Sequence, residues 1–564
     1  MIRNLLLLSI CTLSTFMAKG QNTYRSASDE VNHLLDRMET KSGEFSNDLF
    51  LSNKGVSRKD VYDFLVRFRG SGYYANETTV DDYNIFKALS ENGEWAMPNG
   101  DGAEISKYAL GPFYQRQPDF IHLNKHNFFW VLNPVLGAGV TAQQKPAREV
   151  LWQATEGLET RGRLGRWLGF SMALTNNNTR PAAYIQRRID QWQAIPGAGS
   201  YRQTANGYQY WQFEGNLDAS LIKDHISLDI GYGKHFIGDG IRSLFLSDYA
   251  GNAFYAGINT KIWKLNYQNL YLRLNGQDFT GDAPTHGYKY ATIHYLSANI
   301  RPWLNIGLFE SVTFSRNGGY EIAYMNPVIF YRAVERALGS PDKVAIGLNA
   351  KAIVAKRLNF YGQFLINEFN TKEFFSRNGY WSNKWGLQAG LNYFDAFTVP
   401  NLDIQAEVNM VRPYTYAHYD NHFAVPVENF STWNQPLAHP LGAGFQELIG
   451  NIRYQPLPRL TINAGAMAYR QGVDTGSANF GNDIFRDYKT RNSDFGVKMI
   501  NGPEARCLML RLDADYELKT NLYVFIGGAY REYTVRDNVL PGENDLFFTA
   551  GFRLNLSRSV QNWY

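Results

Sequence analysis

The chain has 564 residues, with 56 Lys and Arg against 52 Asp and Glu, a formal net charge of +4 and a mean hydropathy of −0.36. This charge gives no basic field for nucleic acid. The polar mean excludes a bundle of spanning helices, because no stretch after the N-terminus reaches the ~18 apolar residues that such a helix needs.

Residues 1–20 are predicted to be a secretory signal peptide. Arg3 precedes an apolar run from Leu5 to Met17, which is too short for a membrane anchor. The small residues Ala18 and Gly20 follow this run, as at a signal-peptide cleavage site. Cleavage there leaves Cys507 as the only cysteine. No intrachain disulfide is therefore expected.

Residues 21–120 are predicted to form a small α-helical segment. Apolar residues recur in it at helical spacing, Ser57 with Asp60 resembles a capping box, and Gly43 suits a helix end. The runs span about 28–43, 57–70 and 79–89. These helices could pack on one another in the periplasm or fill the barrel mouth as a plug.

Residues 121–564 are predicted to form an all-β transmembrane barrel of about 18 antiparallel strands. In "CLMLRLDADY", Leu508, Leu510 and Leu512 alternate with Arg511 and Asp513, which is the period of a strand with two different faces. Short and long connections also alternate along the chain, as they do when one membrane face carries turns and the other carries loops. We therefore expect an outer-membrane protein whose partner is the lipid bilayer and whose long loops face the cell surface.

Whole segments of the barrel resemble a known family. The stretch 376–420, "SRNGYWSNKWGLQAGLNYFDAFTVPNLDIQAEVNMVRPYTYAHYD", is similar to gliding-motility RemB-type outer-membrane proteins of Bacteroidota. The stretches 233–258 and 309–335 resemble the broader Wzi capsule-assembly family. The resemblance implies an outer-membrane barrel that holds surface polysaccharide or supports motility or adhesion.

Loop 413–445 is the predicted glycan-binding surface. It interleaves aromatic rings, on which sugars stack, with donors and acceptors that sugar hydroxyls need. The candidate residues are Tyr414, Tyr416, His418, Tyr419, Trp433, Asn434 and His439. In the alternative, the loop folds inward and its rings pack the barrel mouth.

A short helix is predicted over about 328–338, inside a long loop. It would carry Arg332 and Arg336, which would favour an acidic polysaccharide if they constrict the lumen. They could instead form ion pairs with Asp403, Glu407, Asp513 or Asp515 on lumen faces.

No enzyme, cofactor or metal site is predicted. "GKHFIGDG" lacks the Lys-Ser/Thr of a phosphate loop, and no HExxH or paired-Cys pattern occurs. His418 and His422 are four residues apart, but in a loop rich in Tyr and Asn this favours hydrogen bonding over metal binding.

The leading hypothesis is a non-enzymatic surface protein with a mostly occluded barrel, which binds surface polysaccharide or motility partners. A diffusion porin is the first alternative, since a barrel of this size can hold an aqueous pore. An accessory subunit of a secretion or assembly complex is the second.

Overall fold

Strands dominate the part of the chain that the structure describes, and a small helical unit precedes them. The computed structural model describes residues 30–72, 77–95, 111–125, 128–145, 148–165, 168–276, 279–280, 283–284, 288–316, 319–328, 342–418, 428–536 and 541–557.

Eighteen antiparallel strands of the described chain close into one barrel, which confirms the predicted fold class. The strands are β1 Phe128–Lys145, β2 Glu149–Leu164, β3 Leu168–Arg180, β4 Gly207–Ile222, β5 Ile226–Gly233, β6 Ala253–Ile262, β7 Leu265–Asn275, β8 Tyr288–Arg301, β9 Leu304–Phe314, β10 Lys343–Val354, β11 Leu358–Glu368, β12 Lys384–Tyr393, β13 Leu402–Val411, β14 Phe445–Leu457, β15 Leu460–Gly472, β16 Glu504–Lys519, β17 Leu522–Val535 and β18 Glu543–Leu554. The barrel closes where β18 pairs with β1, with Leu554 opposite Leu136. Short strands at Ile121–Lys125 and Arg202–Thr204 extend β1 and β4 at the barrel ends.

The barrel wall has an apolar outer face and a mixed inner face. Along β16, Leu508, Leu510 and Leu512 are exposed on the outside, whereas Cys507 and Met509 are buried on the inside. Outward apolar side chains suit contact with acyl chains, and closure leaves every strand paired. The chain is therefore an outer-membrane β-barrel, as predicted.

The connections differ at the two ends of the barrel. At one end the links are short, such as 223–225, 302–303, 458–459 and 520–521. At the other they are long, except for the first hairpin: 181–206, 234–252, 276–287, 315–342, 369–383, 412–444, 473–503 and 536–542. We refer to them as the short-turn end and the long-loop end. Among the described residues of the long loops are the α-helices α4 Ala183–Trp192 and α5 Thr371–Phe375.

A unit of three helices lies at the short-turn end. The helices are α1 Val31–Ser42, α2 Arg58–Gly70 and α3 Thr79–Glu91, and their shared core includes the fully buried Leu35, Met38, Val61 and Leu65. Gly43 ends α1 at φ 82°, a conformation that glycine adopts without strain. Two residues after Gly43, the N–H of Phe45 donates to the carbonyl of Pro302 in the short turn 302–303 of the barrel, at 2.7 Å. No helix within the described residues is long and apolar enough to cross a membrane.

The N-terminal unit and a long loop meet inside the barrel. Residues Asn53–Lys54, between α1 and α2, pair antiparallel with Phe236–Ile237 of loop 234–252. The N–H of Gly238 also donates to the carbonyl of Ser52, at 2.7 Å. Because one segment comes from the short-turn end and the other from the long-loop end, together they cross the lumen.

Candidate functional site

A buried arginine ties the helical unit to the short-turn end of the barrel. Arg37 in α1 donates from Nε to Asp81 of α3 at 2.8 Å, and from its terminal nitrogens to Asp395 and Asp403 of the barrel at 2.6 Å each. Burial disfavours the charged guanidinium, but Asp403 and Asp81 raise the pKa of Arg37 above its ordinary value. One side chain therefore joins two helices to the wall as a permanent cation.

The carboxylates of the helical unit have unequal proton affinities. Lys41 pairs with Glu77 at 2.7 Å and with Asp81 at 2.9 Å. Burial, and a hydrogen bond with Asp81, raise the pKa of Glu77 to about 8. Burial also raises the pKa of Glu39 to about 8, although the backbone N–H of Ser46 donates to its carboxylate at 2.8 Å. Two carboxyl groups of this unit are therefore poised to change charge near neutral pH.

A lysine on the wall contacts both segments that cross the lumen. Lys351 of β10 lies 2.7 Å from Asp36 of α1 and 3.4 Å from Asp239 of loop 234–252. Asp239 in turn accepts from the hydroxyl of Ser52 at 2.8 Å. The wall, the helical unit and the loop thus share one ion-pair network.

Helix α3 is joined to a second part of the wall, six strands further along the barrel. Lys87 lies 2.7 Å from Glu517 at the end of β16 and bonds the hydroxyl of Tyr523. Tyr83 donates to the same Glu517 at 2.9 Å. The unit is therefore held on several sides of the barrel.

At the long-loop end, loops 234–252 and 412–444 fold into the barrel mouth as a cap. Phe245 is fully buried and stacks on Phe309 of β9, with ring centroids 4.5 Å apart. The apolar core of the cap includes Leu244, Phe245, Leu246, Tyr249, Tyr416, Phe430, Leu437 and Leu441. Such a core fixes the loops in the lumen because unfolding them would expose these side chains to water.

Two tyrosines of the predicted glycan surface are internal. Tyr414 and Tyr416 are 1% and 2% exposed. Their hydroxyls donate to the carbonyls of Asn479 at 3.0 Å and Leu244 at 2.8 Å. The described part of loop 413–445 therefore folds inward, and neither ring offers a face to a sugar.

The two predicted histidines are also buried. His439 is fully buried, stacks on Phe445 at 4.2 Å and lies 2.9 Å from Glu447 of β14. Burial lowers the pKa of His439, with opposition from Glu447. His418 lies 3.4 Å from Glu428 at the two ends of the tip of the same loop. Both rings hold the cap together instead of facing solvent.

Trp433 and Asn434 are half-buried, and both make hydrogen bonds to backbone carbonyls of other loops. The indole N–H of Trp433 donates to the carbonyl of Asn252 within the cap at 3.0 Å, and the side-chain amide of Asn434 donates to the carbonyl of Trp192 in loop 181–206 at 2.9 Å. The remaining candidates lie outside the described residues: Tyr419, Arg332 and Arg336.

The sequence did not predict one wall attachment of the cap. Glu407 of β13 accepts from the N–H groups of Ile241 at 2.7 Å and Arg242 at 3.1 Å, and from the hydroxyl of Tyr361 at 3.0 Å. The alternation of β13 placed Glu407 on the lumen face and offered it as an ion-pair partner of Arg332 or Arg336. Two of its observed partners are backbone N–H groups, which leave no trace in residue type. Asp403 and Asp515, which were offered as partners of the same two arginines, pair with Arg37 and Arg553.

Two polar cavities remain between the helical unit and the wall. One has a volume of about 680 Å³ and lies against β2 to β7, and the other has about 420 Å³. Both are lined by His33, Arg161 and Asn451. The lumen is thus crossed by protein yet retains space beside the helices.

The barrel is similar in fold to solved outer-membrane proteins. It matches Wzi of Escherichia coli, an outer-membrane protein involved in group 1 capsule assembly and described as a carbohydrate-binding β-barrel, with TM-score 0.55 and 9% identity over 96% of this chain and 99% of that chain. OprD of Pseudomonas aeruginosa gives TM-score 0.41 and 11% identity over 75% of this chain and 95% of that chain. OccAB2 of Acinetobacter baumannii gives TM-score 0.41 and 10% identity over 75% and 97%.

The sequence matches no protein-family model and no curated protein. The structural similarity to Wzi confirms the Wzi-like part of the resemblance at the level of fold. The RemB-like part stays a prediction.

Proposed function

We propose that this chain is a non-enzymatic surface protein of the outer membrane that binds polysaccharide at its long-loop end. The observation that carries the proposal is the filled lumen, which helices cross from one side and loops from the other. A barrel filled in this way serves to display loops and not to pass solutes. The carbohydrate binding described for Wzi, whose fold the chain shares, supports the same function.

In this proposal residues 21–120 form the plug on the periplasmic side. Short turns face the periplasm and long loops face outside in bacterial outer-membrane barrels. Arg37, Lys87 and Lys351 form ion pairs between the helical unit and the barrel wall. These ion pairs favour a plug inside the barrel and not a separate periplasmic domain.

An aromatic pair at the long-loop end is the best candidate for stacking on a sugar. Tyr380 of loop 369–383 and Phe495 of loop 473–503 lie with ring centroids 5.5 Å apart, and Phe495 is 50% exposed. These loops leave hairpins that are not adjacent in the barrel, and they meet beside Trp381, whose ring contacts Tyr414 of the cap. The pair therefore borders the buried part of the cap and keeps the ring of Phe495 exposed.

The sequence-predicted residues then divide into two roles. Tyr414, Tyr416, His418 and His439 support the cap from within. Glycan contact remains proposed for the others, which are Tyr419, Trp433, Asn434, Arg332 and Arg336. Gliding motility, adhesion and capsule attachment are the cellular roles proposed for the bound polysaccharide.

Polysaccharide retention by cells tests the proposal. The double variant Tyr380→Ala/Phe495→Ala should release surface polysaccharide into the medium, because it removes the exposed ring of Phe495 and the half-buried ring of Tyr380 but no fully buried group. Trp263→Ala is the matched control, since Trp263 is 77% exposed but lies in a short turn at the opposite end. Full retention in the double variant at normal expression would contradict this placement.

An accessory role in a secretion or assembly complex is the second candidate. Val66 of α2 and Phe86 of α3 are 45% and 39% exposed at the short-turn end, where a periplasmic protein could dock. Purification in a mild detergent, with co-purifying protein and glycan measured together, distinguishes the two candidates.

A further inference from the structure

We propose that the larger lumen cavity is a second saccharide site, for a short, uncharged oligosaccharide that comes from the short-turn end. This site is distinct from the surface pair Tyr380 and Phe495, and loop 234–252 of the cap forms part of its lining. Its volume of about 680 Å³ falls within the range of about 300–1,000 Å³ in which proteins hold small ligands.

The wall of the cavity carries the chemistry of neutral sugar recognition. Amide and hydroxyl side chains line it, and sugar hydroxyls need such paired donors and acceptors. They include Gln153, Thr155, Ser171, Asn177, Gln212 and Asn216. Charged side chains also line the cavity, and the acidic ones, such as Glu159, Glu214 and Asp239, outnumber the basic ones.

One patch of this wall combines a ring platform with a fixed acceptor. His235 and Tyr255 meet edge to face, with ring centroids 4.3 Å apart. Tyr255 and Asn216 both donate to Asp229, at 3.0 and 3.2 Å. A rigid ring pair beside an anchored carboxylate is an arrangement that holds a sugar ring by its face and its hydroxyls.

Several polar atoms here have no partner among the described residues. Asn259 and Gln268 lie opposite each other on β6 and β7, and the carbonyl oxygen of each side chain is buried without a hydrogen bond. The same holds for Nε2 of His235. Buried polar atoms of this kind normally find a partner in water or a ligand, and these three would pair with hydroxyl groups.

Two lysines of the lining are already engaged. Lys234 donates to the carbonyls of Gly197 at 2.6 Å and Asp248 at 3.0 Å, and Lys261 pairs with Asp60. An acidic sugar would therefore find neither lysine available, and the excess of carboxylates in the lining would repel it, which favours an uncharged ligand.

The cavity extends toward the short-turn end. Its lining includes Lys261, which is next to the turn 263–264, and at the other extreme Tyr249 of the cap, whose ring lies 6.3 Å from that of Trp192 in α4. The ligand would thus approach from the periplasm.

A glycine on the wall allows the cavity to be filled without removing a polar group. Gly257 faces the cavity, and a Cβ there would meet its nearest atoms at 3.7 and 3.8 Å, an ordinary contact distance. Gly257→Phe should therefore project a ring into the space. Gly528→Phe is the matched control, since Gly528 lies on the outer face of β17 and its Cβ would be 3.5 Å from the nearest atom.

The test is calorimetric titration of the full-length protein in detergent with maltotriose and with chitotriose as neutral probes and trigalacturonic acid as the acidic probe. We expect a neutral probe to bind, Gly257→Phe to abolish binding, and Gly528→Phe to leave it unchanged. Asn259→Leu, which removes one acceptor at nearly constant size, should weaken binding by about tenfold.

Equal binding in all variants, or binding of the acidic probe alone, would overturn this inference. So would the absence of binding to any probe. Polysaccharide retention by cells is measured on the same variants. If retention is lost in Tyr380→Ala/Phe495→Ala but not in Gly257→Phe, polysaccharide binding at the long-loop end is supported whatever the result for the lumen site.

Discussion

Arg37 shows how much of the plug depends on a single side chain. It is 3% exposed and contacts three carboxylates, two of them on the barrel. Removing one partner of a buried ionic cluster typically costs about 3–5 kcal/mol, because the remaining charges stay buried without compensation.

Arg37→Met should therefore loosen the helical unit within an intact barrel. We expect faster hydrogen exchange in Val31–Ser42 with unchanged exchange in the strands. Arg67→Met is the control, since Arg67 is 58% exposed in its pair with Asp48 and such surface pairs contribute about 0–1 kcal/mol. Equal effects of the two changes would contradict the anchoring role of Arg37.

Glu39 predicts a pH dependence of the same unit. Its pKa is raised to about 8 in the folded protein by burial, against an ordinary value of about 4.3. The folded state thus binds more protons than the unfolded state between these values, so the stability of the helical unit should fall as pH rises from about 5 to about 8.

Glu39→Gln should flatten this decline, because Gln keeps an acceptor for the N–H of Ser46 and cannot ionise. Hydrogen exchange of α1 across that pH interval measures the effect. Glu44→Gln, the same change after the end of the helix, controls for the loss of one carboxylate. A decline as steep in Glu39→Gln as in the parent would show that other groups set it.

At the scale of elements, local patterns and distant contacts differ in how well the sequence predicts them. The alternation along β16 and the start of α2, where the hydroxyl of Ser57 accepts from the N–H of Asp60, follow from residues a few positions apart. The full capping box lies instead at Thr78 and Asp81 of α3. Strands and helices were therefore predictable with small errors at their ends.

The cap was not predictable because its contacts join distant parts of the chain. Tyr416 and Leu244 are 172 residues apart in sequence and meet through one hydrogen bond to a backbone carbonyl. The same aromatic residues could be exposed to solvent or buried in the barrel mouth. Which of the two occurs depends on the loop that packs against them. The sequence thus identified the loop as rich in aromatic and polar residues but left open whether its rings are exposed or buried.

Glu407 should control whether loop 234–252 stays in the mouth. Glu407→Ala removes the acceptor for two backbone N–H groups, while Glu407→Gln keeps one oxygen, so release of the loop should be larger for Ala than for Gln. Release of the loop is measured by labelling Ser243→Cys with a membrane-impermeant thiol reagent in a Cys507→Ser background. Ser243 is fully buried, so labelling requires the loop to leave the mouth. Labelling of Ser243→Cys in the parent would contradict the inward position of the loop.

At the scale of the whole molecule, the two ends of the barrel predict its orientation. Epitope tags placed between 185 and 200 should be reached by antibody on intact cells, because these residues lie in a long loop with α4. Tags near 399 or 457 lie at the short-turn end and should be reached only after permeabilisation. Labelling at 399 on intact cells would reverse the orientation.

The central claim is that protein crosses the lumen at two levels, by the helical unit and by the loop cap. Conductance of the purified full-length protein in planar bilayers tests it most directly. We predict little steady current from the intact protein, and little from a form lacking 22–110, because the cap remains in the mouth. Combining that deletion with Glu407→Ala should raise the current. Large, stable currents from the intact protein would contradict the occluded barrel and favour a diffusion porin.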